Sequence, residues 1–379
     1  MFLLLRLLHL ADLHLGWIPD LPEPQRSEVR RERDGLLKAA VDLALDQRQG
    51  ISLVVIAGDL FETHRPDPVL VEEVIRQLAR LEAGGIPVIT VPGNHDEITY
   101  HDSVYRREAK RWPGVLVTEP MPAQVATLTV GSDQVNVYAL AYTGGVTRTN
   151  PPLADFPAAE RGINLAVFHG SLDWEAGDRS LPLSGEGLAR AGYDYVALGH
   201  IHQPAEKTLG KGLAVYAGAV AGRGFFDPGM GKWTIVTLGQ GKPQLERIQA
   251  PVRPWRVENL DLSAFGNLEE VQSALLARGD AAALVQIRLT GTTSFPWSRP
   301  GLAARLSPHF YYLELLDETT GFDPSLLDEW GQEPTIRGLF IRRLQEQLRE
   351  AKTKEETQLL QRALLRGVQA LMATTAEQK

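Results

Sequence analysis

The chain has 379 residues, a formal net charge of −8 and a hydrophobic content of 44%, and it contains no cysteine. This length predicts two or three units, each large enough to bury a core. The lack of cysteine excludes disulfides, thiolate metal sites and cysteine nucleophiles. No apolar run reaches the length of about eighteen residues that a membrane span needs, and the N-terminus lacks the pattern of a signal peptide. We therefore expect a cytoplasmic protein with no membrane contact.

Short apolar runs in the first 250 residues predict the strands of a sheet-rich unit. In chain order they are 3–8, 53–57, 86–91, 125–130, 135–141, 165–168, 195–198, 213–216, 233–238 and 244–248. Residues 25–49 and 68–83 show the helical spacing of apolar side chains, so strands and helices alternate at first, and strands dominate after residue 115. The expected fold class is α/β (α+β): a two-sheet β-sandwich flanked by helices over residues 1–250.

The pattern restarts around residues 251–254, where we place a domain boundary. Predicted strands at 256–262, 283–289 and 310–315 are separated by predicted helices at 268–277 and 301–306. Residues 251–333 should therefore form a small α+β unit.

The last segment, residues 334–379, has apolar residues recurring about every four positions among Arg, Gln and Glu. This spacing predicts two amphipathic C-terminal helices, joined near Thr353. The helices either pack on the preceding unit or lay an apolar stripe into a groove on another protein, and the pattern alone leaves both open.

Five blocks of polar residues each follow a predicted strand within the first two hundred residues. They are Asp12-Leu13-His14, Gly58-Asp59, Gly93-Asn94-His95-Asp96, His169-Gly170 and Gly199-His200-Ile201-His202. Because open α/β sheets collect ligands at the carboxyl ends of their strands, we expect these side chains to converge. Five of the nine histidines of the chain lie in these blocks.

Imidazole nitrogens with a few carboxylate oxygens suit manganese, iron or zinc, so we expect two divalent metal ions, with Mn²⁺ as first choice. Asp59 is the candidate bridge between them, since it is a lone acid directly after an apolar run. Two ions about 3.5–4 Å apart suit phosphoester cleavage, because they activate a water and bind the phosphate oxygens. A single Gly-Asn-His-Asp run is often only a turn, and the joint order of five blocks is what favours the metal site.

The order Asp-x-His, Gly-Asp, Gly-Asn-His-Asp, His-Gly and Gly-His-x-His resembles the calcineurin-like metallophosphoesterase superfamily. The resemblance implies that one ion is held by Asp12, His14, Asp59 and His202, and the other by Asp59, Asn94, His169 and His200. It also implies a catalytic His95 that approaches the phosphate, to stabilise the transition state or protonate the leaving oxygen. Asp96 would hold the ring of His95 by hydrogen bonding.

Within the superfamily, residues 8–16, Gly58-Asp59-Leu60-Phe61 and the runs 216–219 and 222–225 resemble the Mre11 and SbcD branch of DNA-repair nucleases. The branch implies 3′-to-5′ exonuclease activity on duplex ends and endonuclease activity on single strands and hairpins, in a double-strand break repair complex. Residues 1–250 would then be the nuclease domain and 251–333 the cap domain.

The same resemblance implies three partners: DNA, a second copy of the chain in a homodimer, and an SMC-like coiled-coil ATPase that binds the helices of 334–379. The chain has no Gly-x4-Gly-Lys-[Ser/Thr] phosphate loop, so any dependence on ATP has to come from another subunit.

Two positions depart from the branch. Glu62 stands where some Mre11 proteins carry a histidine, and the sequence leaves open whether His64 takes that place. Ala217-Gly218-Ala219 replaces the usual Pro-Gly-Ser, so a phosphate contact from that serine would be absent.

The negative net charge makes DNA binding by bulk attraction weak, so contacts must come from local basic groups. Our candidates are Arg223, Arg106 and Arg107, with a further cluster at residues 30–33. Charged runs on helices are more often solvated faces. Two loops, 141–157 and 171–182, are long enough to form walls of the cleft.

Two other functions remain open. A phosphodiesterase or phosphatase acting on nucleotides or another small ester would share all five blocks. A scaffold protein with a vestigial metal site is disfavoured by the complete set of ligands.

Overall fold

The computed structural model describes residues 5–130, 133–144, 152–173, 180–239, 241–293, 295, 297–319, 321–322 and 324–376. The chain divides into two compact units, Met1–Pro254 and Trp255–Lys379. Within the described ranges, none of the helices combines the length and the apolar character that crossing a lipid bilayer requires.

Two six-stranded sheets form the centre of the first unit. Its strands, numbered in chain order, are β1 Leu5–Leu10, β2 Leu53–Ala57, β3 Val88–Val91, β4 Val115–Leu116, β5 Ala123–Val130, β6 Asp133–Ala139, β7 Ile163–His169, β8 Ser171–Leu172, β9 Pro182–Leu183, β10 Tyr195–Gly199, β11 Ala205–Leu209, β12 Gly212–Tyr216, β13 Lys232–Leu238 and β14 Gln244–Gln249. The first sheet has the order β14-β13-β1-β2-β3-β4, and the second has β11-β12-β10-β7-β6-β5. Strands β8 and β9 form a separate pair.

The central strands of each sheet run parallel. In the first sheet this holds for β1 to β4, and in the second for β6, β7, β10 and β12. Gly199 pairs with His169 at the end of the β10–β7 ladder. Because parallel strands end at the same edge of a sheet, the segments after β1, β2, β3, β7 and β10 meet there.

The described part of the first unit contains the helices α1 Gln25–Asp34, α2 Leu36–Leu45, α3 Pro68–Ala83, α4 Val104–Glu108 and α5 Gly185–Ala191. The helical stretch predicted at 25–49 is therefore divided at Gly35 into α1 and α2. Helix α3 begins after Asp67, whose side chain accepts a hydrogen bond from the Val69 amide. Its buried Leu70, Val74, Leu78 and Leu81 recur at helical spacing, and each contributes about 1.5–3 kcal/mol by leaving water.

The central strands β7 and β10 of the second sheet are buried on both faces, which explains their almost uninterrupted apolar sequences. In β7, Leu165 and Val167 belong to the core shared with the first sheet, whereas Ala166 and Phe168 belong to the core on the side of α5. The alternation follows from the two-residue repeat of a strand. The two sheets pack directly on each other through β2 and β7.

Among its described residues, the second unit holds five strands and five α-helices. They are β15 Trp255–Asp261, α6 Leu268–Leu276, β16 Leu284–Thr290, β17 Thr292–Thr293, α7 Arg299–Leu306, β18 Tyr312–Asp317, β19 Gly321–Phe322, α8 Pro324–Gly331, α9 Ile336–Glu350 and α10 Lys354–Ala376. Strands β15, β16 and β18 form a parallel sheet, and α6 and α7 lie between them in sequence. Val285, Ile287, Leu275 and Leu302 are buried in its core.

The two helices predicted after residue 334 correspond to α9 and α10, which are separated at residues 351–353. They pack on each other, and α8, which the sequence pattern did not indicate, packs on α9. Trp330, Ile341, Leu364 and Val368 form the buried cluster between them. The division into three domains at 250 and 333 stays a prediction.

Parts of several predicted segments lie outside the described residues. They are residues 3–4 of the first strand, 145–151 of the first cleft loop, 174–179 of the second and 377–379 of the C-terminal segment.

Gly199 lies where the two sheets approach each other closely, and it supplies a test of this packing. A Cβ at Gly199 would lie 1.9 Å from the carbonyl oxygen of Ala57. We expect Gly199→Ala to lower the free energy of unfolding by about 1–3 kcal/mol, because backbone must move to admit the methyl group. Thermal and urea unfolding of the full chain measure this.

Gly35→Ala is the matched control in the same unit. Its Cβ would lie 3.4 Å from the nearest atoms, and its backbone is already right-handed helical. This variant should be as stable as the wild type or slightly more stable. Equal stability of Gly199→Ala and wild type would contradict the close sheet contact.

Candidate metal centre

Strained backbone marks the ends of the parallel strands. Among the described residues, five that are not glycine have positive φ, and four of them lie in the polar blocks: Asp12 at 53°, His14 at 48°, Asp59 at 50° and His200 at 93°. Each such conformation costs on the order of 1–3 kcal/mol, and such residues cluster at functional sites. The surrounding fold holds them in place. The amides of Asp12 and His14 donate to the carbonyls of Gly58 and Asp59, which ties the segment after β1 to the segment after β2.

The first group of side chains is Asp12, His14 and His202. The Nε2 atoms of His14 and His202 are 3.2 Å apart. Asp12 Oδ1 lies 4.0 Å from His202 Nε2, and the carboxylate also accepts the His200 amide at 3.0 Å. These three residues bring ligand atoms within 4.8 Å of one another.

The second group is Asn94, His169 and His200. Asn94 Oδ1 lies 2.9 Å from His169 Nε2 and 2.9 Å from His200 Nδ1. On the other side of the His169 ring, Nδ1 donates to the Ala57 carbonyl at 2.9 Å. That hydrogen bond keeps a proton on Nδ1, so Nε2 is the nitrogen that faces the site and would bind an ion once it loses its proton. A Cβ at Gly58 would lie 2.1 Å from His169 Nδ1, so only glycine fits beside this ring.

Asp59 stands between the two groups. Its Oδ2 lies 3.8 Å from His14 Nε2 and 3.4 Å from His169 Nε2, while Oδ1 accepts the His95 amide at 2.9 Å. The carboxylate is 2% exposed and faces one histidine of each group. This is the position that a carboxylate shared by two ions has to occupy.

His95 lies beside the first group, and its ring meets the His14 ring edge-on at 4.7 Å between centroids. The expectation that Asp96 orients the His95 ring needs correction, because His95 Nδ1 lies 3.1 Å from the Glu62 carbonyl oxygen instead. Asp96 points into the core, where it accepts hydrogen bonds from the amides of Gly93 and Phe61 and from the Tyr105 hydroxyl. Asp96 therefore holds the turn that carries Asn94 and His95.

Glu62 approaches the site, and His64 does not. Glu62 Oε2 lies 2.9 Å from His14 Nδ1, and Oε1 lies 3.7 Å from His95 Nδ1. The His64 ring stacks on Tyr100 at 4.0 Å, and its Nε2 lies 3.6 Å from Asp102. The histidine that the sequence offered as a substitute thus belongs to a neighbouring surface loop.

Asp227 is a site residue that the sequence patterns missed. Its Oδ2 accepts a hydrogen bond from His202 Nδ1 at 2.5 Å. No periodic pattern distinguishes this acid, because it sits in a loop after β12. The one available signal was its position in the run after Gly222-Arg223-Gly224, which resembles the nuclease branch.

The predicted basic residues differ in their positions. Arg223 reaches the site: its guanidinium lies 3.4 Å from His14 Nδ1 and 3.5 Å from Glu62 Oε2. Arg106 and Arg107 are exposed on α4, and Arg106 donates to the Ile98 carbonyl at 2.6 Å. Arg33, from the 30–33 cluster, is only 2% exposed and donates to the carbonyls of Leu13 and Ala221, so it is a structural residue.

Burial and mutual charge shift the proton affinities of the site. Burial raises the pKa of Asp12 to about 6, and burial together with the Asp59 charge raises the pKa of Asp96 to about 6. Burial lowers the pKa of His169, but the Asp59 carboxylate more than offsets this and raises it to about 9. The pKa of Asp59 lies below its usual range because His169 and His14 outweigh the effect of burial. Asp12, Asp59 and Asp96 are thus three buried acids close together, and their mutual repulsion favours the binding of positive charge in the site.

The spacing of the donor atoms fits metal ligands. For an ion about 2.0–2.1 Å from each imidazole nitrogen, neighbouring ligand atoms at octahedral or tetrahedral angles are about 2.8–3.4 Å apart. The His14–His202 nitrogen distance of 3.2 Å and the Asn94–His169 distance of 2.9 Å are close to this range. Two further sets, His14-Asp59-His95 and Asp12-Asp59-His169, also bring ligand atoms within 4.8 Å.

Comparison with known proteins agrees with this geometry. The family profile described as calcineurin-like phosphoesterase matches residues 5–204, which is 200 of the 379 residues. The uncharacterized metallophosphoesterase YhaO of Bacillus subtilis is 24% identical over 302 residues, covering 76% of this chain and 72% of that protein.

Two further relatives carry names from the nuclease branch. SbcD, a component of the nuclease SbcCD of Bacillus subtilis, is 26% identical over 322 residues, covering 70% of this chain and 78% of that protein. The DNA double-strand break repair protein Mre11 of Methanosarcina mazei is 23% identical over 264 residues, covering 66% of this chain but only 39% of the archaeal protein.

The matching profile covers more than half of the chain, and it contains all five polar blocks. The family uses a dimetal centre, and candidate metal ligands converge at the edge of the two sheets of this chain. The chain belongs to the calcineurin-like phosphoesterase family, with the metallophosphoesterase fold, and is a metal-dependent phosphoester hydrolase.

Proposed function

We propose that this protein is a Mn²⁺-dependent DNA nuclease of the Mre11 and SbcD type. It would act as a 3′-to-5′ exonuclease on duplex ends and as an endonuclease on single strands and hairpins, within a double-strand break repair complex. The observation that carries the proposal is the convergence of two groups of ligands on Asp59, next to His95 and Arg223.

Each residue has a distinct part in the proposed reaction. One ion would be held by Asp12, His14 and His202, the other by Asn94, His169 and His200, with Asp59 shared by both. Two such ions supply a bound hydroxide near neutral pH and neutralise the phosphate oxygens. The His95 side chain is 31% exposed, with Nδ1 engaged by the Glu62 carbonyl, so Nε2 is the atom left to meet the phosphate or the leaving oxygen.

The surface beside the site has features suited to a nucleic acid. Phe226 is 83% exposed at the tip of the turn between Arg223 and Asp227, whose backbones are hydrogen-bonded to each other at 2.7 Å. The Phe226 ring is exposed to solvent and is adjacent in sequence to the site residue Asp227, so it is suited to stacking on a base. Arg106 lines an open pocket of about 790 Å³ together with Tyr105, Thr99 and Thr143. A guanidinium and hydroxyls are typical phosphate contacts.

The extent of the relatedness also supports a nuclease. The SbcD and Mre11 relatives align with 70% and 66% of this chain, which is more than the 200 residues matched by the family profile. Part of the sequence similarity to these relatives therefore lies outside the residues that the family profile matches. YhaO aligns over a still larger share and has no established role in its name, so hydrolysis of a small phosphoester is the alternative that an assay has to exclude.

The nuclease proposal predicts cleavage of linear duplex DNA and of a DNA hairpin by the purified chain with Mn²⁺. Asp59→Ala should abolish cleavage, because both ions lose a ligand. His95→Ala should lower kcat by about 10²–10⁴-fold while metal binding persists, as expected for a residue that acts on the reacting phosphate. Gel assays of end-labelled DNA measure both effects and the polarity of digestion.

His309→Ala is the matched control, since His309 is exposed in the second unit. It should cleave like the wild type. A generic aryl phosphodiester is assayed in parallel with the DNA substrates. Cleavage of the aryl ester without cleavage of DNA would overturn the nuclease proposal in favour of the small-ester alternative.

The exposed ring of Phe226 predicts a selective loss on DNA. In Phe226→Ala, the ratio of kcat/KM on single-stranded DNA to that on the aryl ester should fall about 5–150-fold, the loss of about 1–3 kcal/mol of base stacking. Phe226→Trp should restore the ratio. An unchanged ratio in Phe226→Ala would show that the ring does not contact the nucleic acid.

For the second unit, we propose that residues 251–333 form a cap that selects DNA shapes and that residues 334–379 bind an SMC-like coiled-coil ATPase. Ile336, Leu339 and Leu359 support this role, because they stay 77%, 48% and 62% exposed although α8, α9 and α10 pack together. An apolar helix face left in solvent is suited to a helix-in-groove contact. The homodimer stays a prediction.

The docking proposal predicts that Ile336→Asp combined with Leu359→Asp abolishes co-purification with a co-expressed coiled-coil ATPase from the same genome. Because both side chains are exposed, the chain should fold and cleave the aryl ester as before. Ile18→Asp, at a residue 57% exposed in the first unit, is the control and should retain the ATPase. Retention by the double variant would exclude these helices as the docking site.

A further inference from the structure

Two histidines of the first ligand group are each faced by a carboxylate on the side away from the site. His14 has Glu62 Oε2 2.9 Å from its Nδ1, and His202 has Asp227 Oδ2 2.5 Å from its Nδ1. Because Asp227 accepts this hydrogen bond, the proton of His202 stays on Nδ1 and Nε2 has its lone pair free for a metal ion. A negative charge beside Nδ1 favours the same arrangement in His14, where Glu62 lies at ion-pair distance. It also makes the imidazole a stronger electron donor. The two Nε2 atoms are 3.2 Å apart, which is close enough for both to bind one ion.

In the second group, His169 has a different kind of support. The outer nitrogen of His169 donates to the Ala57 carbonyl, which is a neutral acceptor. The ligand atom beside it, Asn94 Oδ1, belongs to an uncharged amide. The first group therefore has two anionic supports behind its imidazoles, whereas His169 in the second group has a neutral one.

Arg223 joins the two supporting carboxylates. Its guanidinium lies 3.5 Å from Glu62 Oε2, and its Nε lies 3.6 Å from Asp227 Oδ2. The loop that carries Arg223 and Asp227 is held by the buried Arg33, which donates to the carbonyls of Ala221 and Gly222. An arginine that spans both acids fixes their positions and offsets part of their mutual repulsion.

We propose that Glu62 and Asp227 are positioning residues that raise the affinity of the ion held by Asp12, His14 and His202, so that the two ions bind unequally and this one binds more tightly. Neither acid is a ligand in the proposed set. The inference rests on the proposed metal ligands and holds whether the substrate is DNA or a small ester.

Titration of the metal-free full-length chain with MnCl₂, followed by isothermal calorimetry, tests the proposal. Wild type should show a tighter and a weaker phase. Glu62→Gln and Asp227→Asn, which keep the shape and remove the charge, should each weaken the tighter phase by about 10–100-fold and leave the weaker phase unchanged. His14→Ala should remove the tighter phase and His169→Ala the weaker one, which assigns the phases independently.

Glu186→Gln is the control, because the Glu186 side chain is 85% exposed and pairs with Arg190 on α5. It should bind Mn²⁺ like the wild type. Thermal unfolding in EDTA checks that each variant folds. If Glu62→Gln does not fold, the comparison of Asp227→Asn with the wild type tests the proposal.

Equal affinity of the two sites for Mn²⁺ in the wild type would overturn the proposal. An unchanged affinity of the tighter phase in both Glu62→Gln and Asp227→Asn would overturn it too. So would an equal loss of affinity in the tighter and the weaker phase of these variants. Failure of DNA cleavage with two unequal phases would instead contradict the nuclease proposal alone.

Discussion

The meeting of two parallel sheet edges is the constraint on which the site depends. Strand β2 of the first sheet packs on β7 of the second, and the hydrogen bond from His169 to the Ala57 carbonyl joins their ends. Asp59 follows β2 directly and is held between histidines of both groups. Because three buried acids lie at this junction, cations bound there would stabilise the folded chain. The strained backbone at Asp12, His14 and Asp59 is tolerated because the sheets determine it.

Much of this arrangement was predictable because the information is local. Each proposed ligand follows an apolar run, and the carboxyl ends of parallel strands necessarily meet. Strand β11 was missed because four of its five residues are exposed and its composition is polar. The role of Asp96 was assigned wrongly because neighbouring residues in a turn point in opposite directions. His95 faces the site, whereas Asp96 faces Tyr105 and the core, and spacing alone does not show that difference.

Several contacts that sequence reasoning did not reach depend on the loop after β12. This loop returns to the site with Arg223 and Asp227, and α1 anchors it through Arg33. Such contacts join residues about 190 positions apart, so no period or short motif contains them. They also explain why Arg33 and Arg223, both basic, differ in function: one is enclosed by backbone carbonyls, and the other lies between two carboxylates at the site.

The most direct test of the account is an anomalous difference map from crystals of the protein grown with MnCl₂. The account predicts two peaks per chain, about 3.5–4 Å apart, with the Asp59 carboxylate between them and His14 and His169 on opposite ions. A single peak, or two peaks that Asp59 does not connect, would contradict it.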